Sequence, residues 1–364
     1  MLQKAFAVTL DPATSLRNHT GSWRTLRPVN VFKLPPCNNQ CPAGENIQQW
    51  LFYAAEGDYE HAWRILTEEN PLPACMGRVC YHTCEGKCNR GFLDESVGIN
   101  SVERFLGDYA IEHNLSFKRP ARETGKKVLI IGAGPAGLSA AYQLRRFGHT
   151  VHIVEMGKEP GGMMRYGIPV YRLPRNVLDA EIKRITDMGV TIECGRKVED
   201  IEAEKKNGKY DAVILGLGAS ISTNVDIPQG DTNHVINALN VLGQIETNGD
   251  IEIARKVAVY GGGNTAVDVA RSLRRIGAEP IIVYRRNRDK MPANAEEMDA
   301  AIAEGIQVKW LSTIASASKD SLKIEKMELD ENGKPQPTGQ YEELPADAVV
   351  LAIGQNVDKS VLTK

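Results

Sequence analysis

The sequence has little that would draw it to a polyanion or into a bilayer. Its 44 basic and 46 acidic residues leave a formal net charge of −2, so no global field pulls it toward nucleic acid. Aromatic residues make up only 6% of the chain. The longest uncharged stretch, Val128 to Leu144, is interrupted by Gly132, Gly134, Pro135 and Gly137; it reads as strand, loop and helix rather than as a membrane span. Met1 to Leu10 hold one lysine and no long apolar core, so no cleavable export signal is read there and the expected location is cytoplasmic. No cysteine precedes Cys37, and no Cys-x2-Cys pair occurs anywhere. Neither a nucleophile triad nor a pair of general-acid carboxylates stands out.

What is present is a pair of glycine-rich loops. Gly132-Ala133-Gly134-Pro135-Ala136-Gly137 follows the apolar run Lys127–Ile131, and Gly261-Gly262-Gly263-Asn264-Thr265-Ala266 follows Lys256–Tyr260. After a strand and before a helix, the first glycine permits a tight turn, the second lets backbone N–H groups approach a pyrophosphate, and the third small residue lets helix and strand pack. The helix N-terminus then presents unpaired donors to phosphate. Two such loops predict two dinucleotides, one passing electrons to the other. Glu155 closes the strand after the first loop, where a carboxylate can bond ribose hydroxyls. The matching strand of the second unit ends in Tyr284-Arg285-Arg286. Arginines there can hold a 2′-phosphate through charge-assisted bonds, which predicts NADP(H), with NAD(H) as the alternative.

Periodicity divides the chain. Residues 1–36 lack a repeat and end in Leu34-Pro35-Pro36, which predicts an arm. Residues 45 to 115 predict helices: Ile47, Trp50, Leu51 and Ala54 share one face, Ala62, Ile65 and Leu66 another, and Val102, Phe105, Leu106 and Tyr109 a third. The charged stretch Lys118–Lys127, with Pro120 and Gly125, is the expected domain boundary. Beyond it strands and helices alternate, the pattern of α/β folds with parallel sheets.

Six of the seven cysteines fall between Cys37 and Cys88. Cys37-x3-Cys41-Pro and Cys80-x3-Cys84-x3-Cys88, with Cys75 nearby, place thiolates a helical turn or a tight loop apart. Zinc ribbons prefer x2 pairs, whereas compact thiolate runs with a proline after a ligand cysteine suit iron–sulfur clusters. A neighbouring redox cofactor tilts the reading toward iron and sulfide, with structural zinc or unligated thiols as the other readings. Cys194 stands alone and is read as a buried structural thiol.

The order of these motifs carries a family likeness. A cysteine-rich helical module precedes Ile131-Gly-Ala-Gly-Pro-Ala-Gly137. Then come Gly161-Gly-Met-Met-Arg-Tyr-Gly-Ile-Pro169, Gly261-Gly-Gly-Asn-Thr-Ala-Val-Asp268 and Val283-Tyr-Arg-Arg286. From Cys37 to Gln355 the chain resembles the small (β) subunit of glutamate synthase and its relatives, among them the N-terminal part of dihydropyrimidine dehydrogenase and flavin subunits that serve other acceptors such as sulfite reductase. The resemblance implies an α/β protein with an N-terminal all-helical iron–sulfur domain followed by two Rossmann-like domains in a glutathione-reductase-like arrangement. The expected division is arm 1–36, iron–sulfur domain 37–122, FAD domain 123–235, NAD(P) domain 236–348, and a return toward the FAD domain over 349–364.

It further implies that FAD meets Gly132, Gly134, Pro135, Ala136, Gly137, Glu155, Gly162 and Arg165, and that the nicotinamide dinucleotide meets Gly261, Gly263, Asn264, Thr265, Arg285 and Arg286. By motif, Cys41, Cys80 and Cys84, with an oxygen ligand near Glu103, fall on one [4Fe–4S] cluster. Cys37 and Cys88 fall on a second whose ligands are incomplete unless Cys75 or a partner helps. The family closes on a Gly-Gly-Asp-type loop against the flavin, and no such loop occurs in the last ten residues. The chain is therefore expected to be C-terminally shortened, with a first sheet one strand short and a weak hold on FAD. The implied activity moves electrons from NADPH through FAD and [4Fe–4S] to a partner, either a larger catalytic subunit or an iron–sulfur acceptor protein. A non-catalytic electron-transfer or assembly subunit is the alternative. A disulfide reductase of the thioredoxin-reductase type would need the Cys-x2-Cys that is missing.

Overall fold

The structure, a computed structural model, describes residues 34–223, 225, 227–228, 235–249 and 251–362. Most of the expected arm lies outside the described residues. The chain enters through α1 (Pro36–Gln40), α2 (Ile47–Ala55), α3 (Tyr59–Leu66), α4 (Pro73–Val79) and α5 (Ile99–Glu112). Trp50 and Trp63 are fully buried core residues, and truncating a buried tryptophan to alanine costs about 3–5 kcal/mol.

The buried stripe of α5 differs from the expected one. It consists of Ile99, Glu103, Leu106, Gly107 and Ala110, while Phe105 is 47% exposed. The cause is backbone-to-backbone packing against α4. A Cβ on Gly77 would fall 2.4 Å from the Arg104 Cα, and one on Gly107 would fall 2.3 Å from the Ala74 nitrogen. This close approach brings the C-terminal end of α4, where Cys80 lies, next to Glu103.

The first α/β unit follows the boundary. Its elements are β1 (Lys127–Ile131), α6 (Pro135–Arg146), β2 (Thr150–Val154), α7 (Met163–Tyr166), α8 (Arg175–Thr186), β3 (Thr191–Glu193), α9 (Ile201–Gly208) and β4 (Ala212–Leu215). They form a parallel sheet in the order β3-β2-β1-β4. β4 is an edge of this four-stranded sheet, and its Leu215 is 43% exposed.

A short β5 (Ile221–Ser222) leads to the second unit. This comprises β6 (Val235–Asn237), α10 (Ala238–Asn248), β7 (Lys256–Tyr260), α11 (Asn264–Arg275), β8 (Glu279–Val283), α12 (Ala295–Ala303) and β9 (Gln307–Lys309), then β10 (Ser312–Ala317), β11 (Ser321–Leu329), β12 (Pro335–Pro345) and β13 (Ala348–Leu351). The parallel sheet runs β6-β13-β7-β8-β9, and β10-β11-β12 form an antiparallel sheet whose apolar face packs on it. β13 crosses the expected boundary at 348/349 and stays in the second sheet, buried at all four positions. The return begins after it, where β14 (Gln355–Asn356) pairs with β5. Among the described residues, no helix is long and apolar enough to cross a membrane.

Candidate cofactor and cluster sites

Both glycine loops are shaped by atoms that leave no room for a side chain. Gly132 has φ +106°, and a Cβ there would sit 2.2 Å from the Gly216 carbonyl oxygen. A Cβ on Gly137 would sit 1.9 Å from the Gly132 carbonyl oxygen, so this residue permits the helix to start where it does. Gly134 has only the Gly162 Cα near its Cβ direction, at 3.8 Å, and it opens into a 380 Å³ cavity lined also by Pro135, Ala136, Met163 and Tyr166. Gly134 is the N-cap of α6 and supplies no side-chain bond to its first turn. The helix end therefore keeps its donors for a ligand.

Glu155 lies at the wall of this cavity. Its Oε2 accepts a hydrogen bond from the Ala133 N–H at 2.6 Å and its Oε1 one from the Gly157 N–H at 2.6 Å. The carboxylate is thus fixed against the loop, in reach of a ligand seated there. Arg165 is placed differently. Its guanidinium is buried, donates through Nε to the Pro160 carbonyl at 2.7 Å, and pairs with Glu159 at 3.0 Å and with Asp179. It holds the Gly161–Gly162 turn from behind and is not among the residues lining the cavity.

The second loop repeats the arrangement. A Cβ on Gly261 would sit 2.2 Å from the Ala352 carbonyl oxygen, and one on Gly262 would meet the Tyr284 ring at 2.3 Å. Gly263, the N-cap of α11, has nothing within 4 Å. Together with Thr265, Arg285 and Arg286 these glycines line a cavity of 480 Å³. The Arg286 Nε is buried without a hydrogen-bond partner, a donor left for an anion. Asn264 is used otherwise: its Oδ1 accepts from the Asn294 N–H at 2.8 Å and ties α11 to the loop before α12. Asp268 is buried and paired with Arg172, which makes it a packing residue.

The six clustered cysteines separate into three environments, and Cys194 is partly exposed rather than the buried thiol expected. Cys37, Cys41 and Cys84 pack in one apolar cluster with Ile47, Leu66, Ile99 and Leu106. Cys80 and Cys84 lie close enough to Cys41 for its charge to raise both, and Cys80 also raises Cys84. Burial, and then the charges of Cys41 and Cys80, push the Cys84 thiol up to about 12; burial, with Glu103, Cys41 and Glu45, also raises Cys80. Glu103 forms part of the same buried wall. Asn70 Nδ2 donates to Glu103 Oε1 at 2.8 Å and to Glu45 Oε1 at 3.0 Å. Burial pushes Glu45 up to about 7, and burial with the neighbouring Glu45 lifts Glu103 well above the carboxylate range.

Cys88 lies outside this pocket. N–H groups of Val97, Arg90 and Gly91 point at its sulfur, and the first of these is the main reason its pKa is lowered. Cys75 is buried between α4 and α8, with its N–H donated to Glu181 Oε2 at 3.1 Å. That position packs it in the core with Leu178 and Ile182, apart from the apolar cluster that holds Cys37.

None of the cysteines is in a disulfide. Among the described residues no three metal-binding side chains converge tightly enough for a single ion. The donor set nevertheless fits a cluster. Three soft thiols and a carboxyl lie together beside apolar side chains, and a four-iron cube holds its ligands farther apart than one ion does. Glu45, Asn70, Arg172 and Glu181 were not singled out by sequence. A charged residue inside an otherwise apolar or small-residue stretch is the signal that marks Glu45 and Arg172; Glu181 stands among other charges and carries no such mark.

Known proteins share this organisation. The family described as "Pyridine nucleotide-disulphide oxidoreductase" matches residues 126–364, and that described as "Dihydroprymidine dehydrogenase domain II, 4Fe-4S cluster" matches residues 25–115. The NADP(+)-dependent formate dehydrogenase subunit beta of Moorella thermoacetica is 37% identical over 369 residues, covering 91% of this chain and 52% of that protein. The NAD-dependent dihydropyrimidine dehydrogenase subunit PreT of Escherichia coli (strain K12) is 32% identical, covering 88% of this chain and 76% of that protein. The glutamate synthase [NADPH] small chain of Azospirillum brasilense is 31% identical, covering 88% and 72%. The chain thus spans about half the length of the formate dehydrogenase relative. Among solved structures, Mycobacterium tuberculosis FprA in complex with NADPH shares the fold, with a TM-score of 0.54 at 19% identity over 64% of this chain and 71% of that one.

Proposed function

The chain belongs to the FAD- and NAD(P)-dependent iron–sulfur oxidoreductases, and from that premise we propose that it draws electrons from NADPH and delivers them, through FAD and one [4Fe–4S] cluster, to a partner protein. The observation that carries this reading is the presence in one chain of two uncapped helix N-termini, each opening on a cavity, and a pocket of three facing thiols. When bound, FAD supplies the exchange between two-electron hydride transfer and one-electron release.

The residues would divide the work as follows. The backbone N–H groups at the start of α6 hold a pyrophosphate, and Glu155 accepts from ribose hydroxyls. The start of α11 holds the second pyrophosphate, and Arg285 and Arg286 clasp a 2′-phosphate. Cys41, Cys80, Cys84 and Glu103 ligate the cluster. Hydride transfer needs position and exclusion of water more than an acid–base pair.

The domain division proposed is 37–122 for the cluster, 123–234 for FAD and 235–351 for the nicotinamide dinucleotide, so that β6 and β13 stay whole in the second sheet. The partner is either a larger catalytic subunit or an iron–sulfur acceptor protein. Relatives are named for formate, pyrimidine and glutamate chemistry, and glutamate synthase is one candidate among them. A cytoplasmic location suits a chain rich in unpaired thiols.

The test is anaerobic reconstitution with FAD, iron and sulfide, followed by NADPH titration. Bleaching of the flavin bands with a reduced-cluster signal is expected, and Cys84→Ser should lose iron and sulfide while flavin is kept. Flavin that stays oxidised under excess NADPH, or zinc in place of iron, would refute the proposal.

A further inference from the structure

Three modules meet at one guanidinium. Arg172 lies in the segment between α7 and α8 with its side chain 8% exposed. Its Nη1 donates to both carboxylate oxygens of Asp268, at 2.9 and 2.8 Å, and its Nε lies 3.0 Å from Glu297 Oε1. Asp268 belongs to α11, whose first turn faces the second glycine loop, and Glu297 belongs to α12. The Tyr81 hydroxyl, beside Cys80, faces the same guanidinium.

The rest of the segment reaches the same way. Arg175 bonds Glu246 of α10 at 2.6 and 2.7 Å while donating to the carbonyls of Met164, Arg165, Ile168 and Leu173. The Tyr171 ring lies under Arg271 and Arg275 of α11, at 5.0 and 3.8 Å.

We propose that Arg172 is a positioning residue that locks the NAD(P) unit and the Cys80 loop onto the FAD unit, so that the second glycine loop keeps one orientation toward the first cavity. The inference rests on the electron path proposed above. Arg172 Nη1 chelates both oxygens of a buried carboxylate while Nε lies beside Glu297, and with its side chain 8% exposed the guanidinium is held more firmly than in a surface pair. Without it, the buried Asp268 and the partly buried Glu297 face each other across α11 and α12 with Arg271 as their remaining counter-charge. Small displacements between donor and acceptor then lower the transfer rate without touching either binding site.

The test uses the full chain and the variants Arg172→Ala, Arg172→Lys and Asp268→Asn. Hydrogen exchange on the protein as purified comes first. Arg172→Ala should speed exchange by about fivefold or more in 79–82 and in 264–268, and Asp268→Asn should do so in 264–268 alone. In the reconstituted protein, Arg172→Ala should slow NADPH-driven flavin reduction by about tenfold or more, with NADPH affinity and FAD content within about twofold of the parent; Arg172→Lys should recover part of the loss. Unchanged exchange together with parental flavin reduction in Arg172→Ala would overturn the proposal. If that variant does not fold, Asp268→Asn decides alone, and a parental reduction rate overturns it. A parent chain whose flavin NADPH does not reduce would refute the electron path, and the exchange arm would still judge the lock.

Discussion

The two glycine loops share a backbone and differ in the charge set against them. Each begins with a glycine whose Cβ would strike a carbonyl oxygen 2.2 Å away on a neighbouring strand end, and each starts a helix with no side-chain cap. At the end of the next strand the first unit presents Glu155, already bonded to two loop N–H groups, and the second presents Arg285 and Arg286, the latter with an unpartnered Nε. The loop geometry is generic and suits any pyrophosphate. The strand-end residue decides what the far side of the ribose must look like.

The sharpest way to break the likeness is steric. Gly137→Ala should cost about 3 kcal/mol or more, because the added methyl meets a backbone carbonyl that cannot move without moving the loop. Gly263→Ala, whose methyl meets nothing within 4 Å, should cost under about 1 kcal/mol in stability while still weakening pyrophosphate binding. Denaturant unfolding of both variants separates the two, and equal losses would show that the Gly132 carbonyl does not crowd residue 137.

Charge comes next. Arg285→Ala with Arg286→Ala should weaken NADPH by about 2–3 kcal/mol and leave NADH nearly untouched, given that Arg285 is exposed and Arg286 is the better-held contact. Titration calorimetry with both nucleotides reads this, and equal losses would remove the arginines from the 2′-phosphate. In the first unit, Glu155→Gln should cost about 1–2 kcal/mol of FAD affinity, since an amide NH2 would face a loop N–H with two donors opposed. Unaltered FAD retention would mean that the carboxylate serves the loop alone.

The smallest effect concerns α11. Arg275 and then Arg271 hold Glu304 down to about 2 by direct hydrogen bonds. A carboxyl depressed in the folded state adds stability above its unfolded pKa and loses it as the pH falls. Glu304→Gln should therefore cost about 1 kcal/mol at neutral pH, allowing for partial exposure, and the difference from the parent should vanish between about pH 4.5 and 2. A pH-independent difference would place the effect in packing instead.

Much of this was legible beforehand, for identifiable reasons. Strand-then-glycine-then-helix is local grammar, so β1, α6, β7 and α11 begin within a few residues of where periodicity puts them. The cysteine spacing marked the thiol pocket. The buried face of α5 was misjudged because apolar period is a weak guide where two glycines let backbones touch, and a carboxylate then occupies the stripe. Arg165 read as a cavity residue because it follows Gly161-Gly162; the helical turn of α7 points it toward Glu159 and Asp179 instead.

By itself the sequence determined the order of the modules, the two nucleotide loops, the charge at each strand end and the supply of thiols, because each is written within a turn or two of chain. Only the tertiary structure decided that Glu45 and Asn70 line up beside Glu103, that Cys75 is withdrawn to Glu181, and that Arg172 joins three modules at once. Those contacts join residues far apart in the chain. They depend on which surfaces close over a buried charge, and nothing in the local period of a helix or strand records that choice.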